Sequence, residues 1–504
     1  MCGIAGIWGK SEQAPVRDMI VRQVHRGPDG TGVYVEKEQG VLGHVRLAIM
    51  DPLHGQQPIY NEDQSKVIVA NGQVYNHEKL RRELVGEHRF GSTSDSETVL
   101  HLFEEQGLGT VQQLDGMFAF AVVENGELFL ARDPIGIKPL YYGLHNQGQP
   151  DEVFYFASEL KAIAAWTDEV REFPPGTFYY SGSGFQSYYS VPVNIPRNLP
   201  AEVHIQRVRR TMEEAVEKRL MSDVPLGAFL SGGLDSSIIA ALARQHMDEL
   251  HTFSVGIEGS RDLEAARRVA RHIGSVHHEY SYTASEVLAV LPEIIYYLES
   301  FDQDLVRSAI PTYFCARMAA EYVKVILTGE GADELFAGYT YYKGIPNPDD
   351  LHRELHRSIT SLHNVNLQRV DRMTMRHGIE GRVPFLDKKM IDLSQAIPPA
   401  LKLRRSDDGQ QVEKWVLRKA VEDLLPPDII WRKKEQFDEG SGTVDMLETL
   451  IRSAAAGINP VAYRERYPED HLRSAEECFY HKLMVESFPK SHVILKNVGR
   501  WQVV

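Results

Sequence analysis

Short apolar stretches broken by glycine, proline and asparagine run through residues 1 to about 190. The clearest of them is MFAFAVVENGELFLARD (117–133), in which two arms of alternating apolar residues flank Asn125 and Gly126. Asn-Gly suits the two-residue turn of a hairpin, so this stretch predicts two paired strands. With a few helical segments between such strands, we expect this part of the chain to form a sandwich-like α+β layer.

The pattern changes after a Gly-, Ser- and Pro-rich segment at 181–200, which we interpret as a linker with a domain boundary near residue 195. Beyond it, four continuous apolar runs alternate with helical periodicity. The runs are VPLGAFL (224–230), LHTFSVGI (250–257), VHHEYSY (276–282) and VKVILTG (323–329). This alternation predicts a doubly wound parallel α/β sheet, with ligands at the carboxyl ends of its strands. Residues from about 345 onward read as mostly helical, so the predicted domains are 1–195 and 200–504.

The bulk composition is that of a soluble globular protein, because 43% of the 504 residues are hydrophobic and 25% are charged. A net charge of -15 without a basic stripe argues against nucleic acid as a partner. No apolar run approaches the roughly 18 residues that span a bilayer, and no secretory signal is present, so no membrane partner is expected. Three scattered cysteines without a C-x-x-C pair indicate neither a disulfide framework nor a thiolate zinc site, and they favour the cytoplasm.

A cysteine stands second in the opening MCGIAGIWGK. Removal of the methionine would give Cys2 a thiol beside a free α-amino group, which is a nucleophile next to a base. Nearby motifs carry groups that could recognise an amino acid: Arg46 could hold a carboxylate, Asp95 could hold an ammonium, and Asn71 with the amide of Gly72 could donate to an oxyanion. Taken singly, each feature is better explained structurally: the cysteine by a buried strand, Asn-Gly by a hairpin turn and the arginine by a charge at the rim of a strand.

Taken together, HRGPDG (25–30), GHVRLAIMD (43–51), NGQVYN (71–76) and STSDSE (92–97) resemble the glutaminase domain of the N-terminal nucleophile amidotransferases. The resemblance implies an αββα sandwich and makes Cys2 the nucleophile, with its own α-amino group, of ordinary pKa about 7.7–8.0, as the base. It places Arg46 on the glutamine carboxylate, Asp95 on its ammonium, and Asn71 with Gly72 at the oxyanion.

One position departs from this family. Where the family usually has N-G-E-[IV]-Y-N, this chain has Gln73, so a neutral amide replaces a carboxylate expected to assist ammonium recognition. We therefore expect either weaker glutamine binding or a different nitrogen donor, such as free ammonia.

A second group of motifs begins with PLGAFLSGGLDSSIIAALA (225–243), which runs from a strand through a Gly-Ser loop into a helix and suits a phosphate. It lacks the Walker A spacing, and a tight turn with Asp235 or Ser236 as a helix cap is the alternative interpretation. Because Asp235 would repel a phosphate, its presence implies Mg²⁺. The loop of VKVILTGEGADELFAGY (323–339) adds Glu330, Asp333 and Glu334 at the same sheet edge.

WRKKEQFDEGSG (431–442) places Arg432, Lys433 and Lys434 beside glycines, either as a solvated turn or as a positive clamp on a departing pyrophosphate. The paired histidines His277 and His278 would point to opposite faces of a strand, so we interpret them as structural.

SGGLDSS is the signature of the PP-loop ATP pyrophosphatases. With LTGEGADELFAGY, EGRVPFLDKKM (380–390) and WRKKEQFDEGSG, residues from about 205 to 445 resemble the synthetase domain of glutamine-dependent asparagine synthetases. The resemblance implies that Asp235 and Asp333 bind Mg-pyrophosphate, that Glu330 assists deprotonation of ammonia, and that Lys434 stabilises phosphate charge. The implied ATP and pyrophosphate contacts are Leu230, Ser231, Gly232, Gly233, Asp235, Ser236, Val255 and Gly329.

The expected activity is therefore ATP- and glutamine-dependent amidation of aspartate through an acyl-adenylate, with release of AMP, pyrophosphate and glutamate. In ESFDQDLVRSAIPTYF (299–314), Asp304 and Leu305 replace threonines of bacterial and animal asparagine synthetases while Arg307 is retained, so the acid that is activated stays open.

Alternatives are an amide synthetase for another acid, a cyclising β-lactam synthetase, and a non-catalytic sensor. The retained Cys2 and Glu330 argue against the cyclising enzyme, and Gln73 alone favours the sensor. A PP-loop enzyme for transfer RNA is disfavoured by the acidic balance and the missing cysteine pair. The sequence does not decide the oligomeric state, for which a homodimer is one option.

Overall fold

The computed structural model describes residues 2–146, 148–149, 151–193, 196–406, 409–434 and 437–501. Residues 2–187 form two six-stranded antiparallel sheets, ordered β10-β8-β9-β1-β3-β2 and β12-β11-β7-β6-β5-β4. Their strands are β1 Cys2–Trp8, β2 Gly30–Glu36, β3 Gly40–Arg46, β4 Ile59–Tyr60, β5 Lys66–Val74, β6 Gly116–Glu124, β7 Glu127–Arg132, β8 Tyr141–His145, β9 Val153–Ala157, β10 Val170–Glu172, β11 Thr177–Tyr180 and β12 Gly184–Ser187.

The two sheets pack face to face with helices outside. Alternation along the strands divides the core: Ile4 of β1 and Val69 of β5 meet between the sheets, whereas Ile7 packs outward. The helices of this region are α1 Gln13–Arg22, α2 His77–Leu84, α3 Asp95–Gln106, α4 Thr110–Gln113 and α5 Leu160–Ile163. Because α1 covers β1 and β3 while α3 covers β5, the predicted αββα sandwich is confirmed.

The predicted hairpin is present, with β6 and β7 joined by Asn125 at φ 51° and Gly126 at φ 77°. The predicted linker at 181–200 starts too early in the sequence, because residues 184–187 form strand β12 at the edge of the second sheet. The ring of Phe185 packs against Tyr142 and Tyr179, which gives this polar segment a reason to pair. The predicted boundary near residue 195 lies outside the described residues.

The second half of the chain contains a five-stranded parallel sheet in the order β15-β14-β13-β16-β17. Its strands are β13 Leu226–Phe229, β14 His251–Gly256, β15 Val276–Ser281, β16 Val325–Leu327 and β17 Glu380–Arg382, and a separate pair is β18 Arg404–Arg405 with β19 Gln411–Val412. The strand order reverses between β13 and β16, which is where doubly wound sheets bind ligands. The loops after these two strands carry SGGLDSS and TGEGADE, as predicted.

Helices cover both faces of this sheet and make up most of the chain after residue 345, as predicted. Helices α6 to α8 contribute to one apolar cluster, and α9 and α10 contribute to another on the opposite face. The helices are α6 Ala201–Glu217, α7 Leu234–His246, α8 Arg261–Ile273, α9 Ala284–Leu298, α10 Gln303–Ala319, α11 Ala332–Phe336, α12 Pro348–Thr360, α13 Asn366–Arg376, α14 Lys388–Ala396, α15 Pro399–Lys402, α16 Trp415–Ala420, α17 Pro427–Ile430, α18 Phe437–Gly440, α19 Thr443–Ala454, α20 Pro460–Arg466, α21 Ala475–Ser487 and α22 Ser491–Leu495. Among the described residues, none of these helices has the length and apolar character needed to cross a membrane.

Candidate active site

A small cavity of about 30 Å³ lies at the start of β1. It gathers residues that are far apart in the sequence, because β1 pairs with β3 and packs over β5. The predicted site residues that line it are Cys2, Arg46, Gly72, Gln73 and Asp95.

Asn71 supports Cys2 directly. The backbone N–H of Cys2 donates to Asn71 Oδ1 at 3.1 Å, while Asn71 Nδ2 is buried and has no hydrogen-bond partner among the described residues. A buried amide donor without a partner is costly, and it suits an oxygen that gains negative charge in the cavity. Burial also raises the pKa of the Cys2 thiol, against the opposing effects of the Leu47 N–H and Arg46. This thiol therefore needs a base to ionise near neutral pH.

Arg46 and Asp95 stand on two sides of the same cavity. The guanidinium of Arg46 donates to the carbonyls of Pro52, Met50 and Asp51, which holds the loop after β3 and leaves other N–H groups for a ligand. Asp95 is the first residue of α3, and its Oδ2 accepts from the N–H of Val74 at 2.8 Å. Burial raises the pKa of Asp95, so a bound ammonium would have a strong effect on its charge.

Glu380 is a residue of this cavity that the sequence did not predict. It lies in β17 of the other half of the chain, is fully buried, and lines the cavity together with Gln73. Arg382 donates from Nε to Glu380 at 2.6 Å and from Nη2 to Gln73 Oε1 at 3.3 Å. Burial alone would raise the pKa of Glu380, but Arg382 holds it below its usual range. Glu380 therefore brings a charged carboxylate to the cavity beside Gln73, which has none.

A second and much larger cavity, of about 660 Å³, opens at the carboxyl ends of β13 and β16. Of the predicted residues of the second half, those that line it are Leu230, Ser231, Gly233, Asp235, Ser236, Gly329, Glu330, Asp333, Glu334, Asp304, Leu305, Arg432, Lys433 and Lys434.

The SGGLDSS loop is held in a compact turn by its own serines. Ser236 Oγ accepts from the N–H of Ser231 at 3.1 Å and contacts Ser231 Oγ at 3.0 Å. Gly232 has φ 73°, and a Cβ there would lie 2.4 Å from the backbone N of Ala266. Glycine is therefore required for the turn, and the loop delivers Asp235 and Ser236 on the first turn of α7.

Two predicted residues do not line this cavity. Gly232 shapes the loop from behind, and Val255 packs in the apolar cluster under the opposite helices. Neighbours of Val255 on β14, Phe253 and Ser254, reach the cavity instead. The predicted nucleotide contact of Val255 stays a prediction.

Asp235 and Asp333 face each other across two lysines. Lys414 Nζ lies 2.6 Å from Asp235 Oδ2 and 2.6 Å from Asp333 Oδ1, and Lys434 Nζ lies 2.9 Å from Asp333 Oδ2. Burial alone would raise the pKa of Asp333. Lys414 and Lys434 outweigh burial and hold this pKa below its usual range, so the carboxylate stays charged. Lys414, which precedes α16, was not predicted because nothing in its local sequence marks it as a site residue.

Two glutamates of the TGEGADE loop sit behind these aspartates. Glu330 contacts Arg369 of α13, and burial raises its pKa. Glu334 accepts from the Tyr339 hydroxyl at 2.6 Å, and burial together with Asp333 raises its pKa to about 7. The site therefore combines Asp333, whose pKa is lowered, with two glutamates whose pKa values are raised.

The far side of the cavity is formed by α10 and the end of the chain. Asp304 and Leu305 line it, and Arg473 donates to Asp304 at 3.1 Å. The retained Arg307 points elsewhere, because it forms a two-bond pair with Glu476 of α21, at 2.9 and 2.6 Å.

Helix α13 connects the two cavities. Near one end, Arg369 contacts Glu330 of the large cavity. Farther along, Asp371 accepts from Arg26 at 2.7 and 3.0 Å, and Arg26 Nε donates to the carbonyl of Cys2 at 3.1 Å. Helix α13 therefore carries one charged contact to the large cavity and, two residues further on, another that leads through Arg26 to the backbone of Cys2.

Two protein-family models match the chain, one in each half. Residues 1–186 match the model of a glutamine amidotransferase domain, and residues 207–347 and 343–493 match the asparagine synthase family. The chain is 38% identical to an asparagine synthetase (glutamine-hydrolysing) of Asparagus officinalis, over 97% of this chain and 86% of that protein. It is 37% identical to a probable asparagine synthetase (glutamine-hydrolysing) of Dictyostelium discoideum, over 99% of this chain and 96% of that protein.

Among solved structures, a glutamine phosphoribosylpyrophosphate amidotransferase from B. subtilis aligns at 22% identity with a TM-score of 0.33. That alignment covers 51% of this chain and 67% of the other. Each of these two relatives aligns with nearly the whole chain, and therefore with both of its halves. The chain therefore belongs to the family of glutamine-hydrolysing asparagine synthetases.

Proposed function

We propose that this protein converts aspartate to asparagine with glutamine as nitrogen donor and ATP as the source of activation. The observation that carries the proposal is the pair of cavities in one chain, one holding a buried cysteine beside an amide donor and the other holding paired aspartates beside lysines. Family membership supports the same activity.

In the small cavity, Cys2 attacks the side-chain amide carbon of glutamine after removal of Met1. The α-amino group of Cys2 takes the thiol proton and passes it to the leaving ammonia. The buried Nδ2 of Asn71 and the N–H of Gly72 donate to the oxyanion, while Arg46 binds the carboxylate of glutamine. Asp95 binds the ammonium, and Glu380 supplies the second carboxylate that Gln73 does not. Water then releases glutamate.

In the large cavity, ATP binds over the SGGLDSS loop, and the carboxylate of aspartate attacks its α-phosphorus. Asp235 and Asp333 fit Mg²⁺ by their donor chemistry, since both offer carboxylate oxygens, which this ion prefers. When bound, Mg²⁺ would neutralise charge on the pyrophosphate that leaves. Lys434 and Lys414 reach both aspartates, so they lie where they can stabilise the same charge.

Ammonia then attacks the acyl-adenylate, and AMP leaves with the bonding electron pair. Glu330 is the residue that we place as acceptor of the ammonia proton, because burial raises its pKa and Arg369 holds it at the cavity wall. Helix α13 contacts Glu330 through Arg369 and leads to Cys2 through Asp371 and Arg26. It therefore fixes the position of the ammonia-producing site relative to the ammonia-using site.

The acid acceptor is aspartate in this proposal, although Asp304 and Leu305 stand where relatives were expected to carry threonine. We also propose that the protein works in the cytoplasm, which its three unpaired cysteines suit. Assembly as a homodimer stays a prediction.

The test follows labelled nitrogen from glutamine. Incubation with amide-¹⁵N glutamine, ATP and aspartate should give ¹⁵N in the side chain of asparagine, with equal amounts of AMP and pyrophosphate. Cys2→Ala should abolish the glutamine-dependent reaction and leave the reaction with free ammonia intact. Cys478→Ala removes another buried cysteine and serves as the matched control, with both reactions retained.

Turnover with other carboxylic acids but not with aspartate would overturn the assignment of the acceptor. Glutamine-dependent synthesis that survives in Cys2→Ala would overturn the assignment of the nucleophile.

A further inference from the structure

A cluster of two histidines and two glutamates lies on the N-terminal half, next to α3 and apart from both cavities. Its members are Glu62 after β4, His88 after α2, and His101 with Glu104 on α3. One potential ligand atom from each of the four lies within 4.8 Å of the others. Neither the comparisons nor the proposed activity gives this cluster a role.

The spacing of these atoms is close to that of a tetrahedral metal site. His88 Nδ1 lies 3.2 Å from Glu62 Oε1 and 3.5 Å from Glu104 Oε2. His101 Nδ1 lies 2.8 Å from Glu104 Oε2 and 3.8 Å from Glu62 Oε2. Zinc bonds of about 2.0–2.1 Å in a tetrahedron place neighbouring ligand atoms about 3.3 Å apart. The four distances, of 2.8–3.8 Å and measured to both oxygens of Glu62 and to one of Glu104, lie around that value.

The outer nitrogen of each ring also faces a carboxylate. His88 Nε2 lies 3.1 Å from Glu105 Oε1, and His101 Nε2 lies 3.7 Å from Glu97 Oε1. In metal sites a carboxylate commonly accepts a hydrogen bond from the second nitrogen of a ligating histidine, which orients the ring and fixes its tautomer. Such a hydrogen bond is present at His88, whereas Glu97 lies near His101 Nε2 without a hydrogen bond to it among the described residues.

One oxygen of each glutamate already has a donor from the protein. Glu62 Oε1 accepts from the N–H of Arg89 and Glu104 Oε1 accepts from Asn61 Nδ2, both at 2.7 Å. The second oxygen of each glutamate lies beside the Nδ1 atoms of the two rings. A neutral imidazole has one lone pair, so each ring can offer it to a cation held between these atoms.

We propose that Glu62, His88, His101 and Glu104 bind one divalent transition-metal ion of the zinc class. The donor set of two imidazoles and two carboxylates suits such an ion better than Mg²⁺ or Ca²⁺, which prefer oxygen ligands only. The ion has a structural role, since all four positions are protein ligands, which leaves no open position for a substrate.

The site would tie α3 to two loops. Glu97, one of the outer carboxylates, also accepts from the N–H groups of Gly91 and Ser92 at 2.6 and 2.7 Å. The same helix begins with Asp95, which lines the cavity of Cys2. Loss of the ion should therefore loosen the loop before α3 and raise the KM for glutamine.

The experiment measures metal content and heat stability of the full chain. The protein is stripped with a chelator, incubated with Zn²⁺ in the presence of excess Mg²⁺, desalted and analysed for zinc; Co²⁺ serves as a second probe with a visible spectrum that reports tetrahedral geometry. Wild type should retain about one zinc per chain, give a tetrahedral cobalt spectrum and lose melting temperature when stripped.

Two mild variants, Glu62→Gln and Glu104→Gln, should fold yet lose the zinc, the cobalt spectrum and the response of melting temperature to the chelator. His251→Gln removes a partly buried histidine beside Glu249 and serves as the control, with zinc retained. Absence of bound zinc and cobalt in wild type, or equal binding in wild type and both variants, would overturn the proposal.

Discussion

Asn71 uses the two ends of its side chain differently. Its Oδ1 accepts from the N–H of Cys2, and its buried Nδ2 has no partner among the described residues. Asn71→Asp keeps an oxygen for Cys2 and removes the donor to the oxyanion. We expect the kcat of glutamine hydrolysis to fall by about 10²–10³, the effect of losing one such donor elsewhere. The kcat is measured from glutamate released in reactions that are quenched at fixed times.

The ammonia-dependent reaction of Asn71→Asp is the internal control, and it should stay near the wild-type rate because the large cavity is untouched. A kcat for glutamine hydrolysis within threefold of wild type would exclude Asn71 Nδ2 as an oxyanion donor.

The β6–β7 hairpin shows what a local sequence can dictate. Gly126 adopts φ 77°, and among the described residues the one atom near the position of an added Cβ is Gln39 Cγ, at 3.9 Å. Gly126→Ala should therefore destabilise the N-terminal half through backbone strain alone, by about 1–2 kcal/mol. Gly109→Ala is the matched control, because Gly109 has φ -73° and open space around it, and there alanine should be neutral or slightly stabilising.

Thermal unfolding of the two variants and wild type in parallel measures the difference. Equal melting temperatures for Gly126→Ala and Gly109→Ala would contradict this account of the turn.

The two halves of the molecule are joined by charged contacts, and a partly buried one at Glu172 should respond to acid. Glu172 of β10 accepts from Arg132 at 2.8 Å and contacts His363 of the other half at 2.7 Å. Although burial opposes it, Arg132 and His363 lower the pKa of Glu172 to about 2. Since the folded pKa lies below the unfolded value, this contact stabilises the fold at neutral pH, and the stabilisation is lost as pH falls from about 4.5 toward 2.

Glu172→Gln should lower the free energy of unfolding at pH 7 by roughly 2–3 kcal/mol. It should also reduce the further loss of stability that wild type shows between about pH 4.5 and 2. The measurement is melting temperature against pH, with the exposed neighbour Glu169→Gln as control. The same pH slope for wild type and Glu172→Gln would show that Glu172 does not link the halves in this way.

Much of the fold was predictable because its signals are local. The Asn-Gly turn, the apolar runs of the parallel sheet and the turn of SGGLDSS each depend on residues within one short segment. Strand β12 was missed because its pairing depends on the contact of Phe185 with rings from other strands, which a Gly- and Ser-rich segment does not reveal.

The sites divide in the same way. Asp235 and Asp333 were predictable because parallel strands bring their carboxyl ends to one edge. Lys414 and Glu380 were not, since each reaches its cavity through packing of distant segments, and Glu380 does so from the other half of the chain.

By itself, the sequence determined the hairpin-rich layers of the first half, the parallel sheet of the second, the loop that precedes each aspartate and the cysteine at position 2, since backbone geometry and side-chain periodicity act over a few residues. Only the tertiary structure decided that Glu380 stands beside Gln73, that Lys414 joins the two aspartates, and that α13 links both cavities. Those facts depend on contacts between segments that are far apart in the chain, and such contacts form only when the domains pack.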